Sequence, residues 1–223
     1  METYLPPYEL TSDMLFAATR GPTGSLRRTF PGVPFLEVRG RTPLLLWFSR
    51  VREACYYDPA GQWRREGGPT SVLYYELTVL ALLRERAVFA PGIYATSERT
   101  IALGRQRYGM PKQPAMVWVQ TEGRRFRARA LHEGWESMVH ARLVGSGRPL
   151  GRLASLLLPQ RPWPVRFPAG RDALRVVIQA APRLSLARIV RGRLAVQAAW
   201  LPRPVRLLPL GLYAPSLRMQ LPP

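Results

Sequence analysis

Lys112 offers a chemistry that the other basic residues of this chain cannot. The sequence contains 33 lysine and arginine residues, and Lys112 is the only lysine among them. Arginine supplies charge and ion pairs, but its guanidinium group stays protonated and is not a nucleophile. A lysine amine that has lost its proton can attack a carbonyl carbon and form a Schiff base. Pro111 and Pro114 restrict the backbone around Lys112, which is unusual for a casual surface lysine, although an arginine-biased chain could keep one by chance.

Glu76 is the acidic residue with the most unusual surroundings. It lies in the long apolar run from Ser71 to Phe89. This run fits either a helix or a buried strand, and Tyr74-Tyr75 favours a strand. A carboxylate inside such a run needs a hydrogen-bonding or cationic partner. The alternative is that the strand alternates and Glu76 faces solvent, and the local sequence leaves both placements open.

The basic character of the chain is spread along its whole length. The formal net charge is +19. A charge of this sign and size is typical of proteins that bind nucleic acid or an anionic surface. The arginines occur singly or in pairs, however, and no zinc-finger spacing, P-loop or aromatic RNA-binding motif is present. This distribution indicates a compositional bias and makes nucleic-acid binding the less favoured interpretation.

Metal and disulfide chemistry have little support in the sequence. Cys55 is the only cysteine, and His132 and His140 are the only histidines. These residues are too few and too widely spaced for a typical zinc site. No metal or organic cofactor is therefore expected. The first residues lack the pattern of a signal peptide, and no stretch of about 18 apolar residues suggests a membrane span, so a cytoplasmic protein is expected.

Short strands and turns dominate the rest of the sequence. A helix is predicted from Ser97 to Arg107, with Ser97 as its N-cap and Gly109 ending it. A hairpin is predicted from Ala115–Gln120 and Phe126–Leu131, joined by a turn. Further strands are predicted at 8–18, 33–38, 44–51, 137–144, 174–181, 184–190 and 194–201, and turns at 21–24 and 145–149. The segments 159–168 and 202–223 are rich in proline and receive no strand prediction.

These elements predict one domain over residues 1–223. No internal repeat or domain-scale linker interrupts the chain. The fold class expected is α+β, mostly antiparallel β, with a few short helices. Its curved sheet is expected to close into a barrel or cone, because closure hides the strand edges.

The segment around Lys112 resembles acetoacetate decarboxylase and its relatives. Thr100-Ile101-Ala102-Leu103-Gly104-Arg105 followed by Gly109-Met110-Pro111-Lys112 matches the family's Gly-Arg and Pro-Lys elements and the gap between them. Tyr74-Tyr75-Glu76 resembles the family's Tyr-x-Glu strand. The resemblance covers residues 70–130 well. It implies a homo-oligomeric, barrel-like protein with a buried lysine that forms a Schiff base with a keto substrate.

The resemblance also assigns roles to individual residues. It implies Lys112 as the nucleophile and Glu76 as the acidic residue of the pocket, which either transfers a proton or orients the substrate. Arg105, Tyr75 and Met110 are the further residues expected to bind substrate.

The sequence departs from the family pattern at four places. The family's second lysine is Gln113, and Met110 replaces an aromatic residue. The region of a second glutamate is occupied by 46–49, and the arginine that receives a substrate carboxylate aligns near Asp13.

Three functions follow from these observations. The first is a carbon–carbon lyase in which Lys112 forms an imine with a keto acid or related carbonyl compound, for decarboxylation or for aldolase or dehydratase chemistry. The second is a non-catalytic ligand-binding protein on the same scaffold. The third is a basic nucleic-acid-binding protein, supported only by the net charge.

Overall fold

The computed structural model of the protein describes residues 5–144, 163–169, 174–180 and 184–221. Within this part of the chain there are fourteen strands and two helices. The helices are α1 (Thr23–Thr29) and α2 (Glu98–Tyr108). The strands are β1 (Leu5–Pro22), β2 (Arg41–Tyr57), β3 (Trp63–Gly67), β4 (Tyr74–Leu82), β5 (Val88–Ala95), β6 (Lys112–Pro114), β7 (Met116–Glu122), β8 (Arg125–His132), β9 (Trp135–Val144), β10 (Trp163–Arg166), β11 (Leu174–Ala180), β12 (Ser185–Leu194), β13 (Val205–Arg206) and β14 (Leu210–Leu221).

The described strands belong to one sheet that closes on itself. Seven of them form a ring in the order β1-β2-β4-β5-β10-β11-β14, and β14 pairs with β1 to complete it. From β14 the sheet continues as an arm, β12-β9-β8-β7. The pairings are antiparallel except for β5 with β6 and β5 with β10. The predicted α+β class, mostly antiparallel with few helices, is confirmed.

Two apolar clusters divide the interior. The larger lies between the ring and the arm, because strands of both contribute alternate residues to it, such as Leu46, Leu77, Val119 and Phe126. The smaller receives side chains from all seven ring strands, including Met14 and Met219. Strands β1, β2, β4 and β5 contribute to both clusters, so each has two buried faces and its successive residues alternate between the two clusters. This alternation decides which side chains reach the site described below.

Several predicted elements differ in the structure. The run 71–89 holds parts of two strands, because Arg84, Glu85 and Arg86 form a turn between β4 and β5. Pro91-Gly92, a pair of residues that usually interrupts a strand, lies inside β5 next to an irregularity in its pairing with β4. Segment 33–38 makes only isolated bridges and is not a strand. Segment 194–201 is mostly irregular, because strand β12 ends at Leu194.

The proline-rich ends contain regular structure that the sequence did not reveal. β14 lies in the C-terminal segment and pairs with β1, β11 and β12. β10 lies in the segment expected to be irregular, and α1 begins at the predicted turn 21–24. The predicted turn at 145–149 lies outside the described residues. No helix in the described segments is long and apolar enough to cross a membrane.

Candidate active site

Helix α2 precedes Lys112 and sets the point at which the chain joins the ring. Ser97 caps its first turn, with its Oγ accepting a hydrogen bond from the Thr100 backbone at 3.3 Å. Gly109 ends the helix in the left-handed conformation, at φ +63°, and the Met110 backbone N–H donates to the Gly104 carbonyl at 3.1 Å. The chain then turns into β6, where Lys112 pairs with Ile93 of β5. The predicted helix and both of its ends are confirmed.

Gly104 makes room for the lysine side chain. A Cβ added at this position would come within 2.8 Å of Lys112 Cδ and 3.0 Å of its Cε. The Gly of the Gly-Arg pair thus lets the methylene stem of Lys112 lie directly against α2. The sequence singled out this pair but gave no reason for its glycine.

Arg105 holds the backbone of Lys112 and does not line the cavity. Its Nε donates a hydrogen bond of 2.6 Å to the Lys112 carbonyl oxygen. The side chain is otherwise exposed and is not part of the wall around the amine. Arg105 therefore fixes where β6 begins, which in turn fixes the direction in which Lys112 points.

The Lys112 amine meets Glu76 inside the ring. Lys112 Nζ lies 2.7 Å from Glu76 Oε2, and the two side chains are only 9% and 16% exposed. Thr78 Oγ1 donates to the other carboxylate oxygen, Oε1, at 2.8 Å. Both oxygens of the carboxylate therefore have partners, as a charged group in apolar surroundings requires.

Tyr74 lies beside this pair, and Tyr75 does not. Tyr74 and Glu76 are two residues apart on β4 and share a face, and Lys112 Nζ lies 5.7 Å from the centre of the Tyr74 ring. Burial raises the pKa of the Tyr74 phenol well above its ordinary value, and the nearby Glu76 adds to this effect. Tyr74 is thus a neutral wall for the amine. Tyr75 lies on the opposite face of β4 and packs against the larger apolar cluster.

A narrow apolar cavity of about 80 Å³ opens in front of the amine. Apart from Lys112, Glu76, Thr78, Tyr74 and Ser49, its described walls are apolar. They include Leu10, Met14, Trp47, Leu80, Met110 and Val176. A second cavity of about 100 Å³ lies on the other side of Lys112 and shares Leu10, Tyr74 and Met110 with the first. The amine therefore stands where two small compartments meet.

Solved structures with the same architecture are known. Acetoacetate decarboxylase from Legionella pneumophila subsp. pneumophila str. Philadelphia 1 superimposes with a TM-score of 0.55 at 12% identity, over 98% of this chain and 89% of that one. An acetoacetate decarboxylase-like enzyme from Sphingomonas wittichii RW1 gives 0.54 at 14% identity, over 96% and 89% of the two chains. The enduracididine biosynthesis enzyme MppR gives 0.51 at 14% identity, over 97% and 87%.

This chain has the acetoacetate decarboxylase-like fold. No protein-family model and no curated protein matches its sequence, so the similarity is carried by the structure. The resemblance inferred from the Gly-Arg and Pro-Lys elements is confirmed at the level of the fold.

Within this fold, two of the departures in sequence fall away from the amine. Gln113 follows Lys112 on β6, pairs with Tyr94 and is not part of the cavity wall. Asp13 pairs with Arg50 across β1 and β2, on the opposite face from the cavity. Its carboxylate is bound by Arg50 Nε at 3.1 Å and by Arg52 Nη2 at 3.3 Å. Asp13 is therefore a neutralised structural carboxylate and does not face a bound substrate.

The other two departures lie in the wall. Ser49 pairs directly with Glu76 across β2 and β4 and is buried beside it. Met110 lines both cavities, and its side chain is flexible where an aromatic ring would be rigid.

The sequence did not identify every residue around the amine. Tyr74 and Thr78 were missed as neighbours of Glu76, although their spacing of two residues along a strand was the available signal. Ser49 was named only as part of segment 46–49. Among the described residues, no group of three histidine, cysteine or acidic side chains could hold a metal ion.

Proposed function

We propose that this protein is a lyase in which Lys112 forms a Schiff base with a carbonyl substrate. The observation that carries the proposal is the contact of 2.7 Å between Lys112 Nζ and Glu76 Oε2 in a small apolar cavity. An amine and a carboxylate in such contact can exchange a proton without help from water. This exchange supplies the neutral amine that attack on a carbonyl carbon requires.

The first half of the reaction builds the imine. Glu76 takes a proton from the Lys112 ammonium group, and the amine then adds to the carbonyl carbon to give a carbinolamine. Glu76 returns the proton to the carbinolamine oxygen, which leaves as water, and an iminium ion forms. Glu76 is again a carboxylate at this point and balances the charge of the iminium ion, as an acid–base group in direct contact can do.

The second half breaks or makes a carbon–carbon bond. The iminium group accepts the electron pair released when a bond to the adjacent carbon breaks, and an enamine results. In aldol-type cleavage Glu76 accepts the proton of the substrate hydroxyl group as the bond breaks and passes it to the enamine carbon, whereas in decarboxylation water supplies this proton. Hydrolysis of the resulting iminium ion then releases the product and frees Lys112. In this scheme Lys112 and Glu76 are the catalytic residues, Met110 is a wall that shapes the substrate, and Arg105 positions β6. Tyr74 takes the place beside the substrate that the sequence assigned to Tyr75.

The walls favour an uncharged carbonyl compound over a keto acid. Lys112 is the only cationic side chain among the described residues that line the first cavity, and Glu76 already neutralises it. A substrate carboxylate would add a second negative charge a few ångströms from Glu76, in surroundings that screen it poorly. Aldol-type cleavage or condensation therefore fits this cavity better than decarboxylation. The MppR structure holds a condensation product of pyruvate and imidazole 4-carboxaldehyde, which is a carbon–carbon bond-forming outcome in that protein.

Reductive trapping tests the proposal directly. The protein is incubated with a carbonyl compound and borohydride, and the adduct is located by peptide mass mapping, which is simple because Lys112 is the only lysine. Two matched pairs replace a carboxylate by an isopropyl group of similar shape. They are pyruvate against 3-methylbutan-2-one, and acetoacetate against 4-methylpentan-2-one. An adduct on Lys112, formed at lower concentration with the ketone of each pair, is the expected result.

The outcomes separate the chemistry from the choice of substrate. If none of the four compounds modifies Lys112, or if Lys112→Arg gives the same adduct, the Schiff-base function is wrong. If the keto acids are trapped at equal or lower concentrations, the function stands and the preference for uncharged substrates is wrong.

A second candidate is a ligand-binding protein without catalysis. The observation in its favour is the same ion pair, because Glu76 stabilises the charged form of Lys112 and could serve folding alone. In that case ligands would stabilise the protein against heat without any adduct on Lys112. Homo-oligomeric assembly, a cytoplasmic location and a single domain over residues 1–223 stay predictions.

A further inference from the structure

The outer side of the arm carries a second concentration of positive charge. Strands β7, β8, β9 and β12 alternate buried and exposed residues, and the exposed positions are rich in arginine. We call this surface the arginine face. It is defined by Arg125, Arg127 and Arg129 of β8, Arg142 of β9, and Arg188, Arg191 and Arg193 of β12. No two of these arginines are consecutive in the sequence, and only the pairing of the strands brings them together.

Strand register stacks these arginines in rows across the sheet. Arg125 pairs with Arg142, and Arg142 pairs with Arg188. One step along the sheet, Arg127 pairs with His140, and His140 pairs with Arg191. Directly opposed residues on neighbouring strands have Cβ atoms about 5 Å apart, so like charges in such rows repel each other. A row of three guanidinium groups therefore does not stabilise the pairing of the strands.

Few carboxylates offset this charge. Glu136 binds Arg129 and Arg193, and these hydrogen bonds hold the pKa of the Glu136 carboxyl below its ordinary value. Within the described segments, the remaining five arginines of the face form no ion pair. The chain as a whole has 14 acidic residues against 33 basic ones, so its own carboxylates cannot neutralise the face.

The face also has recesses and an exposed aromatic ring. A recess of about 430 Å³ is lined by Arg124, Arg125, Arg127, Arg142 and His140, with Glu122 as the one acidic residue among its described walls. A neighbouring recess of about 550 Å³ is lined by Arg191, Arg193 and Arg206 and shares Val190 with the first. Each is of a size that holds a small ligand. At the edge strand β7, Trp118 is 41% exposed and pairs with Arg129.

We propose that the arginine face binds single-stranded nucleic acid. The guanidinium rows match a chain of phosphates in charge, and the two recesses give its nucleotides concave places to lie. Exposed Trp118 offers a base the flat aromatic surface on which unpaired bases stack. Among the described residues, this surface is a strand face from which no helix projects to enter a duplex groove, which favours a single strand. This proposal is independent of the chemistry at Lys112.

The test uses two variants of equal net charge. The face variant is Arg125→Gln/Arg127→Gln/Arg142→Gln, and the control variant is Arg84→Gln/Arg175→Gln/Arg218→Gln, which removes three exposed arginines elsewhere. Binding of fluorescein-labelled oligo(dT) and oligo(U) is measured by anisotropy at several salt concentrations. For single strands, each phosphate contact contributes about −0.7 to the slope of log K against log salt. The face variant should bind at least 10-fold more weakly, with a slope shallower by about 2, and the control variant should bind like the parent protein.

Several results would overturn the proposal. Equal loss in both variants would show that net charge alone drives binding, and absence of binding to either oligonucleotide would remove the proposal. Tighter binding of duplex than of single strands would also contradict it. If the parent protein self-associates and only the face variant dissociates, a second copy of the chain covers the face instead. Both variants should keep the far-UV circular dichroism spectrum and the urea denaturation midpoint of the parent protein, which shows that they are folded.

Discussion

The two cationic regions of this protein use positive charge in opposite ways. At Lys112 there is one amine, nearly excluded from water, in contact with one carboxylate. On the arginine face there are seven guanidinium groups, exposed to water, of which two share a carboxylate. The cavity is too small and too apolar to hold an unbalanced charge, whereas the open face can, because water and salt screen it. A buried cation in contact with a carboxylate can therefore take part in a reaction, whereas exposed cations can attract an anionic partner.

The residue types fit these two settings. Lysine can release its proton and act as a nucleophile, which is useful only where an adjacent group takes that proton. Arginine keeps its charge and offers several donors, which suits binding of phosphates at an open surface. A chain with 32 arginines and one lysine makes this division unusually clean. The following predictions test the contrast, beginning with the largest expected effect.

Lys112→Met should abolish reductive trapping and destabilise the fold. Methionine keeps the apolar stem but removes the amine, and Glu76 then loses its cationic partner in the cavity. Breaking a buried pair in this way costs about 3 kcal/mol of folding free energy. Urea denaturation and adduct mapping measure the two effects. The double variant Lys112→Met/Glu76→Leu should regain most of the stability but none of the trapping. An equally unstable double variant would contradict this account of the ion pair.

Glu76→Gln should slow adduct formation by about 100-fold, the usual contribution of a positioned general acid or base. The amide still accepts a hydrogen bond but cannot take the ammonium proton. The rate of borohydride trapping at a saturating ketone concentration is the measurement. A matched control is Glu66→Gln, because Glu66 lies in the wall of the second cavity but not of the first. An unchanged rate in Glu76→Gln would show that Glu76 is not the group that takes the proton from Lys112.

Gly104→Ala should disturb the Lys112 side chain and reduce trapping by about 10-fold, which is about 1.4 kcal/mol in activation free energy. Alanine is favoured over glycine in a helix by about 1 kcal/mol. The close contact of its Cβ with Lys112 Cδ costs about 1–3 kcal/mol by overpacking. The free energy of unfolding should therefore fall by about 2 kcal/mol at most, while trapping falls about 10-fold. Gly68→Ala is the control, since nothing lies near an added Cβ there.

These predictions rest on different amounts of sequence information. Lys112, Glu76 and helix α2 could be predicted from residue type, caps and the resemblance, because those signals are local. The contact of Ser49 with Glu76 could not, because it depends on the register of β2 against β4. The role of Gly104 could not be predicted either, because it depends on the path that the lysine side chain takes along α2.

The arginine face was missed for the same reason. The scattered arginines argued against a binding surface until strand pairing placed them side by side. β14 was missed because proline-rich composition masked a strand whose partners lie at the other end of the chain. Long-range pairing, which no local pattern records, accounts for each of these omissions.

The smallest expected effect concerns His140, the histidine of the arginine face. Burial lowers the pKa of His140, and Arg127 and Arg191 lower it further. The folded protein thus binds a proton less readily at this site than the unfolded chain, whose histidine pKa is about 6.5. Folding stability should therefore decrease as the pH falls through about 6.5 towards the lower folded pKa, and level off below it. His140→Gln should flatten this part of the stability profile.

The same histidine reports on the face when it is occupied. Bound phosphates would offset the guanidinium groups around His140, so oligo(dT) should raise the pKa of His140 in an NMR titration of the ring protons. With only two histidines in the chain, the His140→Gln spectrum assigns the signals. The face variant, which lacks Arg127, should show a raised pKa before any oligonucleotide is added and a smaller response afterwards. If the pKa of His140 changes neither with oligo(dT) nor in the face variant, the guanidinium rows do not act on this histidine. The contrast between the two regions would then lose its electrostatic basis.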